Sequence, residues 1–223
     1  MKRIDIDNWD RKSHYEWFGG FSHPCVAFDV KFDITEVIAF CKRKKVSSFA
    51  TLMYLMTDLA NHNFAFRLRE DDKGVVEVDY ANASYTYLIN EHTFVNLRAR
   101  ANLGFQTFLQ DVENNKNKYR GSDYVQEIFN DVSIINDIYF SCVPWFDYLS
   151  VHQPIPDNDK GNRSIPRFLW GKYIEENDRT YIVVNITANH ALVDGVDFAN
   201  IVEAMKKAFA NPEEYINNSE VNV

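Results

Sequence analysis

Hydrophobic and polar residues alternate in residues 26–32, where Val26, Phe28, Val30 and Phe32 occupy every second position. A period of two is typical of a β-strand that buries one face. Four further segments rich in β-branched and aromatic residues also indicate strands, namely residues 74–78, 83–89, 133–140 and 180–188. The pattern predicts that a β-sheet is a main component of the fold.

Apolar residues recur three and four positions apart in two other segments, as in helices that pack one face against a core. The first helix follows Ser47 and Ser48, whose hydroxyls can cap its first turn, and is predicted to be amphipathic. Its apolar positions are Phe49, Leu52, Met53, Met56 and Leu59. The second helix carries Phe198, Ile201, Val202, Met205 and Phe209 and is predicted to end at Asn211-Pro212. Residues 33–36 have the composition of another helix start.

Strands and helices alternate without the regular rhythm of a doubly wound sheet, and the sequence lacks a glycine-rich phosphate loop. We therefore predict an α/β protein in which a mixed sheet and helices form two layers. Residues 154–166 contain three prolines and a glycine, which indicates a long loop. We expect residues 1–223 to form a single domain.

Composition narrows the function classes. A formal charge of −8 argues against nonspecific nucleic-acid binding, which needs clustered lysine and arginine. No run of about 18 apolar residues is present, so we expect no membrane span and a cytoplasmic location. The three cysteines lack the spacing of a zinc or redox motif, and we expect free thiols. The basic run at residues 42–45 is either a solvated helix end or a contact for an anion such as coenzyme A.

His190 is the strongest candidate for chemistry. It follows the β-rich run 181–187 and precedes Asp194, Gly195 and the last predicted helix, so it lies at a strand-to-helix turn. An imidazole titrates near neutrality and can take a proton from an alcohol and return it. Asp194 could orient His190, cap the following helix or pair with a distant cation.

The other five histidines show no metal-ligand spacing, and we expect no metal site. A structural role is the better interpretation for them. His23, beside Pro24 in an irregular stretch, could instead face a pocket.

Short blocks spread over most of the chain add a further observation. Residues 9–15 read Trp-Asp-Arg-Lys-Ser-His-Tyr, and residues 61–67 read Asn-His-Asn-Phe-Ala-Phe-Arg. Residues 140–145 read Phe-Ser-Cys-Val-Pro-Trp, residues 171–173 read Gly-Lys-Tyr, and residues 189–195 contain His-x-x-x-Asp-Gly. In this order the blocks resemble the chloramphenicol acetyltransferase family. The family has Trp-x-Arg-x-x-His-Phe in the first block and two adjacent histidines in the last.

The resemblance implies a single-step transfer from acetyl-CoA in which His190 is the general base. Ser141 would donate a hydrogen bond to the oxyanion of the tetrahedral intermediate. Asp194 would pair with Arg11 and support the turn that carries His190, without relaying protons.

The resemblance also assigns binding residues. Trp145, Lys172 and Tyr173 match positions on the coenzyme A side of the family's tunnel, although a turn and a strand end explain them equally simply. Trp17 and Phe18 match aromatic residues of the acceptor pocket, with core packing as the alternative.

Two departures from the family pattern stand out. Leu169, which the resemblance also assigns to the acceptor pocket, replaces a threonine that helps to bind the intermediate, which predicts weakened turnover. Asn189 replaces the first of the paired histidines, which is not the base.

The family forms homotrimers with active sites between subunits, and by resemblance we expect the sheet to extend across such a trimer. The implied function is acetylation of a hydroxyl of chloramphenicol, which confers antibiotic resistance. Two alternatives stay open: the same chemistry on another small hydroxyl acceptor, and a homologue that binds coenzyme A without catalysis.

Overall fold

The computed structural model of the protein describes residues 1–122, 134–157 and 159–221. Its helices, in chain order, are α1 (Lys12–Gly19), α2 (Thr35–Lys44), α3 (Ser48–Asn61), α4 (Phe105–Tyr119), α5 (Lys160–Arg163), α6 (Gly195–Ala210) and α7 (Pro212–Val221). Its strands are β1 (Lys2–Arg3), β2 (Cys25–Asp33), β3 (Leu68–Asp71), β4 (Gly74–Glu77), β5 (Asn82–Leu88), β6 (Phe94–Ala99), β7 (Asp137–Cys142), β8 (Arg167–Trp170), β9 (Ile174–Glu176) and β10 (Arg179–Asn189).

Seven strands form the main sheet, in the order β2-β10-β8-β7-β5-β6, and β9 also pairs with β10. β7 runs parallel to both of its neighbours, β5 and β8, whereas the other pairs are antiparallel. A smaller sheet has the order β1-β4-β3. The predicted α/β class with a mixed sheet is thus confirmed.

The helix α3 forms the centre of the core. Ser47 caps it, because its hydroxyl accepts a hydrogen bond from the amide of Ala50 at 3.3 Å. All its residues from Ala50 to Asn61 are buried, so the prediction of an amphipathic helix is wrong here. The cause is tertiary: α2, α4, α6 and β5 surround α3 on several sides.

The strand β2 was predicted to bury one face, which is only partly correct. Phe32 is buried, but Val26 and Val30 are half-buried and Phe28 is 45% exposed. β2 lies at the edge of the sheet, so fewer neighbours cover it than cover a central strand.

Three other predicted segments have different bounds or surroundings. Residues 74–78 contain β4, which belongs to the small sheet. The segment 133–140 contains β7, which begins only at Asp137 after a 3₁₀ turn, and residue 133 lies outside the described residues. Within the predicted loop at 154–166, the short helix α5 forms.

The last predicted helix corresponds to α6, which Asn211 ends as expected. Pro212 does not lead into coil; it is the first residue of α7. The missing N–H and fixed φ of proline suit this first helical position. Among the described residues, no helix is both long and apolar enough to cross a membrane.

The basic residues in the run 42–45 do not all have the same environment. Arg43 and Lys44 each form an ion pair with Glu213 of α7 at 2.7 Å. Lys45 adopts a left-handed conformation with φ of 57° after α2 and lines a large cavity. Only this last residue of the run is placed to meet a ligand there.

Candidate active site

His190 directly follows β10 and is held by hydrogen bonds at both its backbone and its ring. Its amide donates to the carbonyl of Pro24 at 2.8 Å. Its ring nitrogen Nδ1 lies 3.2 Å from the carbonyl oxygen of Val193, which can only accept. Nδ1 therefore carries a hydrogen, and in the neutral imidazole Nε2 has the lone pair that can accept another proton.

Phe18, on α1, stacks on the imidazole of His190. The ring centroids are 3.9 Å apart and the planes meet at 14°. Phe21 packs edge-on against Phe18 at 5.5 Å. The structure therefore brings one residue predicted for the acceptor pocket against the predicted base.

Arg11 and Asp194 are in direct contact. One terminal nitrogen of the guanidinium donates to Oδ2 of Asp194, and the other lies 3.5 Å from the carbonyl oxygen of His190. Asp194 Oδ1 accepts from the amide of Val196 at 3.1 Å, and its own amide donates to Asp197 at 3.0 Å. This is a capping box that begins α6. Asp194 therefore both caps the helix and pairs with a distant cation.

Electrostatics agree with this geometry. Burial opposes ionisation of Asp194, but the hydrogen bonds from Arg11 and the Val196 amide outweigh it and lower its pKa. Burial raises the pKa of Asp197. Asp194 is thus the firmly ionised partner of Arg11.

Ser141 lies on β7 among polar and apolar neighbours from the adjacent strands. Its register partner on β8 is Leu169, and its hydroxyl oxygen is 3.2 Å from Oγ1 of Thr86 on β5. Thr86 is not predictable from the sequence, because nothing in the chain indicates which strands flank β7. The hydroxyl of Thr86 contacts Ser141 directly, and Leu169 occupies the neighbouring position on the other side.

A cavity of about 940 Å³ lies beside these strands and is lined by all three residues predicted for coenzyme A: Trp145, Lys172 and Tyr173. Lys45 and Lys116 add two more cations to its wall, which also includes Glu113, 3.4 Å from Lys116. The lining also includes Thr86 and Cys142. It therefore combines aromatic surface and positive charge, and it reaches the immediate neighbours of Ser141.

Two groups in this wall are held in their neutral forms. The hydroxyl of Tyr173 donates to Ser48 at 3.1 Å, and burial raises the pKa of Tyr173 to about 12. Burial also raises the pKa of Cys142 to about 12. The thiol beside Ser141 is thus not a ready nucleophile near neutral pH.

Ser141 and His190 are well separated within one chain. Ser141 is in register with Leu169, which is in register with Asn185 on β10. His190 is five residues beyond Asn185, so the two Cα atoms are about 16 Å apart along the strands and about 10 Å across them. The resulting distance of about 19 Å is too long for both side chains to reach one reacting carbonyl.

Three remaining candidates do not line the large cavity. Trp17 is 68% exposed and packs on Phe21 with a centroid distance of 6.2 Å. Leu169 is buried and is not part of the cavity wall. His23 lies 3.3 Å from Asp157 with its side chain 79% exposed, so the idea that it faces a pocket finds no support.

Solved structures of acetyltransferases have a fold similar to that of this protein. A chloramphenicol acetyltransferase structure superposes with a TM-score of 0.84 at 23% identity, covering 93% of this chain and 99% of the other. A dihydrolipoamide acetyltransferase from Azotobacter vinelandii gives a TM-score of 0.68 at 11% identity, covering 91% and 87%. The architecture is therefore one that acetyltransferases use.

Comparison of sequences is more specific. The chloramphenicol acetyltransferase family model matches residues 1–206. A chloramphenicol acetyltransferase from Clostridium butyricum is 26% identical over 221 residues, covering 96% of this chain and 97% of the relative. One from Staphylococcus aureus is 28% identical over 196 residues, covering 86% and 88%. The chain belongs to the chloramphenicol acetyltransferase family.

Proposed function

We propose that the protein transfers the acetyl group of acetyl-CoA to a hydroxyl of chloramphenicol, with His190 as general base. The observation that carries this proposal is the 3.2 Å contact between Nδ1 of His190 and the carbonyl oxygen of Val193, which assigns the ring hydrogen of a neutral imidazole to Nδ1 and leaves Nε2 to accept a proton. The arrangement suits a group that accepts a proton from an alcohol.

In the proposed reaction, Nε2 of His190 removes the hydroxyl proton as the acceptor oxygen attacks the thioester carbonyl. The C–O bond forms and the carbonyl electron pair moves to oxygen, where the hydroxyl of Ser141 donates a hydrogen bond. Collapse of the tetrahedral intermediate breaks the C–S bond. The departing thiolate takes the proton from the imidazolium, which restores His190.

The large cavity is the proposed binding site for acetyl-CoA. Lys45 and Lys172 offer positive charge to phosphates, and Trp145 offers a face for a purine ring. Its end at Thr86 would bring the thioester close to Ser141.

We further propose that the active form is a homotrimer in which His190 of one subunit faces Ser141 of the next. The distance of about 19 Å between them within a chain supports this assembly. So do three exposed apolar side chains on the segment after β7: Trp145, Phe146 and Leu149, which are 66%, 56% and 97% exposed. Apolar groups of this size are typical of subunit interfaces.

The test is release of free CoA from acetyl-CoA with chloramphenicol as acceptor, for the wild type, His190→Ala and His92→Ala. His92 is an exposed histidine between β5 and β6 that does not line the cavity, and it is the matched control. We expect turnover in the wild type and the control, and a loss of at least about 10³-fold in His190→Ala. Retained turnover in His190→Ala would remove His190 as the base.

A second candidate keeps the chemistry but changes the acceptor. Leu169 favours it, because a buried leucine beside Ser141 supplies no hydroxyl to a polar intermediate. Turnover with other small alcohols and none with chloramphenicol would select this candidate.

A further inference from the structure

A buried carboxylate lies directly behind the turn that carries His190. Glu70, on β3, is 4% exposed, and each of its side-chain oxygens accepts a hydrogen bond. Oε2 accepts from Nδ2 of Asn189 at 2.9 Å, and Oε1 accepts from the hydroxyl of Tyr15 at 3.2 Å. One side chain thus joins three separate elements: β3, the end of β10 and α1.

Asn189 and Tyr15, the two hydrogen-bond donors to Glu70, are each connected to His190, one through the backbone and the other through α1. Asn189 precedes His190, and its Oδ1 accepts from the amide of Ala191 at 2.9 Å, which fixes the peptide groups on either side of the histidine. Tyr15 lies on the same helix as Phe18, which stacks on the imidazole. A shift of Glu70 would therefore move the histidine backbone and the ring that packs on its side chain.

The backbone of Glu70 is itself held in place. Its amide donates to the hydroxyl of Ser164 at 2.9 Å, immediately after α5. Burial, with the nearby Glu70 charge as the next contribution, raises the pKa of Tyr15 to about 12, so this phenol remains a hydrogen-bond donor. The three-residue cluster of Glu70, Asn189 and Tyr15 is thus satisfied and anchored at each member.

The two partners are also two of the positions at which this chain departs from the family pattern described above. Asn189 stands where the family has the first of two histidines, and Tyr15 stands where it has a phenylalanine. The tyrosine hydroxyl adds a donor that phenylalanine lacks, and the Asn189 amide supplies the second donor to Glu70. Burying a carboxylate without hydrogen-bond partners is costly, so the two donors are what allow Glu70 to be buried here. Glu70 and its two partners therefore depend on one another.

We propose that Glu70 is a positioning residue of the active site: its carboxylate ties the His190 turn to α1 and so holds the imidazole in the orientation that catalysis requires. This inference rests on the proposed function for its kinetic consequences. Its structural consequence, the fixed stacking of Phe18 on His190, can be measured without any acceptor.

Kinetics provide the first arm of the test. Glu70→Met removes both hydrogen bonds at nearly constant length, and we expect kcat to fall about 10- to 100-fold through misplacement of the base. KM for acetyl-CoA should stay unchanged, because the cavity lining does not include Glu70, Asn189 or Tyr15. Glu70→Gln should retain kcat within about threefold, since its amide can accept from Asn189 and donate to Tyr15.

Asp58 supplies a matched control. It is equally buried, at 4%, and accepts from the hydroxyls of Tyr80 at 3.0 Å and Tyr215 at 2.7 Å, but it ties α7 to α3. Asp58→Asn should lower the melting temperature and leave kcat within about twofold of the wild type.

If Glu70→Met folds poorly, Tyr15→Phe removes only one of the two hydrogen bonds to Glu70 and should lower kcat about 3- to 10-fold.

The second arm is nuclear magnetic resonance of the His190 ring protons, assigned with His190→Gln. Stacking on Phe18 shifts these resonances upfield, and Phe18→Leu defines their position without stacking. We expect Glu70→Met to move them toward the Phe18→Leu position, while Asp58→Asn leaves them in place. No turnover by the wild type on chloramphenicol would overturn the proposed function alone. A retained ring shift together with unchanged kcat in Glu70→Met would overturn the role of Glu70.

Discussion

Arg11 and Asp194, which are 183 residues apart in the chain, meet in an ion pair that fixes the turn between β10 and α6. The pair is partly shielded from water, with the side chains 20% and 32% exposed. The same guanidinium reaches toward the carbonyl of His190. The position of the proposed base therefore depends on a contact with the other end of the chain.

Replacing Asp194 by asparagine should separate its two tasks. Asparagine keeps an oxygen for the amide of Val196 but loses the charge that pairs with Arg11. We expect kcat/KM to fall about 10- to 100-fold and the melting temperature to fall by several degrees. Steady-state kinetics and thermal unfolding measure the two effects.

The matched control is Arg179→Gln, which breaks the pair with Asp33 at the start of β10, where the two side chains are 63% and 34% exposed. Such pairs contribute little to stability, and activity should not change. Equal effects of Asp194→Asn and Arg179→Gln would contradict the special role of the Arg11 pair.

The ion pair also predicts a pH dependence. The pKa of Asp194 is lowered in the folded protein from an ordinary value of 3.8. A depressed carboxyl pKa stabilises the folded state above the unfolded pKa, and this contribution disappears as the pH falls through the folded pKa. The difference in unfolding free energy between wild type and Asp194→Asn should be constant from about pH 7 to about pH 5 and shrink below about pH 4. Urea unfolding at several pH values measures it, and a difference that grows on acidification would contradict this account.

Leu169 offers a substitution that should increase activity. It lies beside Ser141 in the sheet register, where a threonine would place a second hydroxyl near the intermediate. We expect Leu169→Thr to raise kcat about 3- to 10-fold, since an added donor stabilises developing charge. Leu169→Val has nearly the shape of threonine without the hydroxyl and should show no gain. A rate increase in both variants would assign the effect to size instead of hydrogen bonding.

Gly171 is a tightly packed position in the cavity wall. A Cβ atom there would lie 3.1 Å from the carbonyl oxygen of Phe146 and 3.1 Å from the ring of Tyr148. Gly171→Ala should push this segment away, disturb the adjacent Trp145 and raise KM for acetyl-CoA about 5- to 20-fold. The KM for the acceptor should stay unchanged.

Gly19→Ala is the control, because an added Cβ meets no atom within 4 Å there. An equal change of both KM values in Gly171→Ala would show that the cavity does not act separately on acetyl-CoA.

Local patterns predict the local structure well. The alternation in β2 and the spacing in α3 and α6 depend on neighbours in the sequence, and the elements form where these patterns occur. The burial of α3 on all sides was not predictable in this way, because it depends on helices and strands that surround it only after folding.

The same distinction between local patterns and long-range contacts applies to the candidate site. The sequence left three roles open for Asp194, and the structure combines two of them: a local cap and a contact with a residue 183 positions away. The meeting of Thr86 with Ser141, 55 residues apart, depends on the order of strands in the sheet, which no local pattern contains.

The central claim is that His190 of one subunit works with Ser141 of another on one acetyl group. Co-expression of His190→Ala with Ser141→Ala tests it directly, because each variant alone lacks one of the two groups. Random trimers from equal amounts should carry both groups at about a quarter of the interfaces, so acetylation of chloramphenicol should return to about a quarter of the wild-type rate. Activity that stays at the level of the separate variants, in trimers shown to be mixed, would contradict the claim.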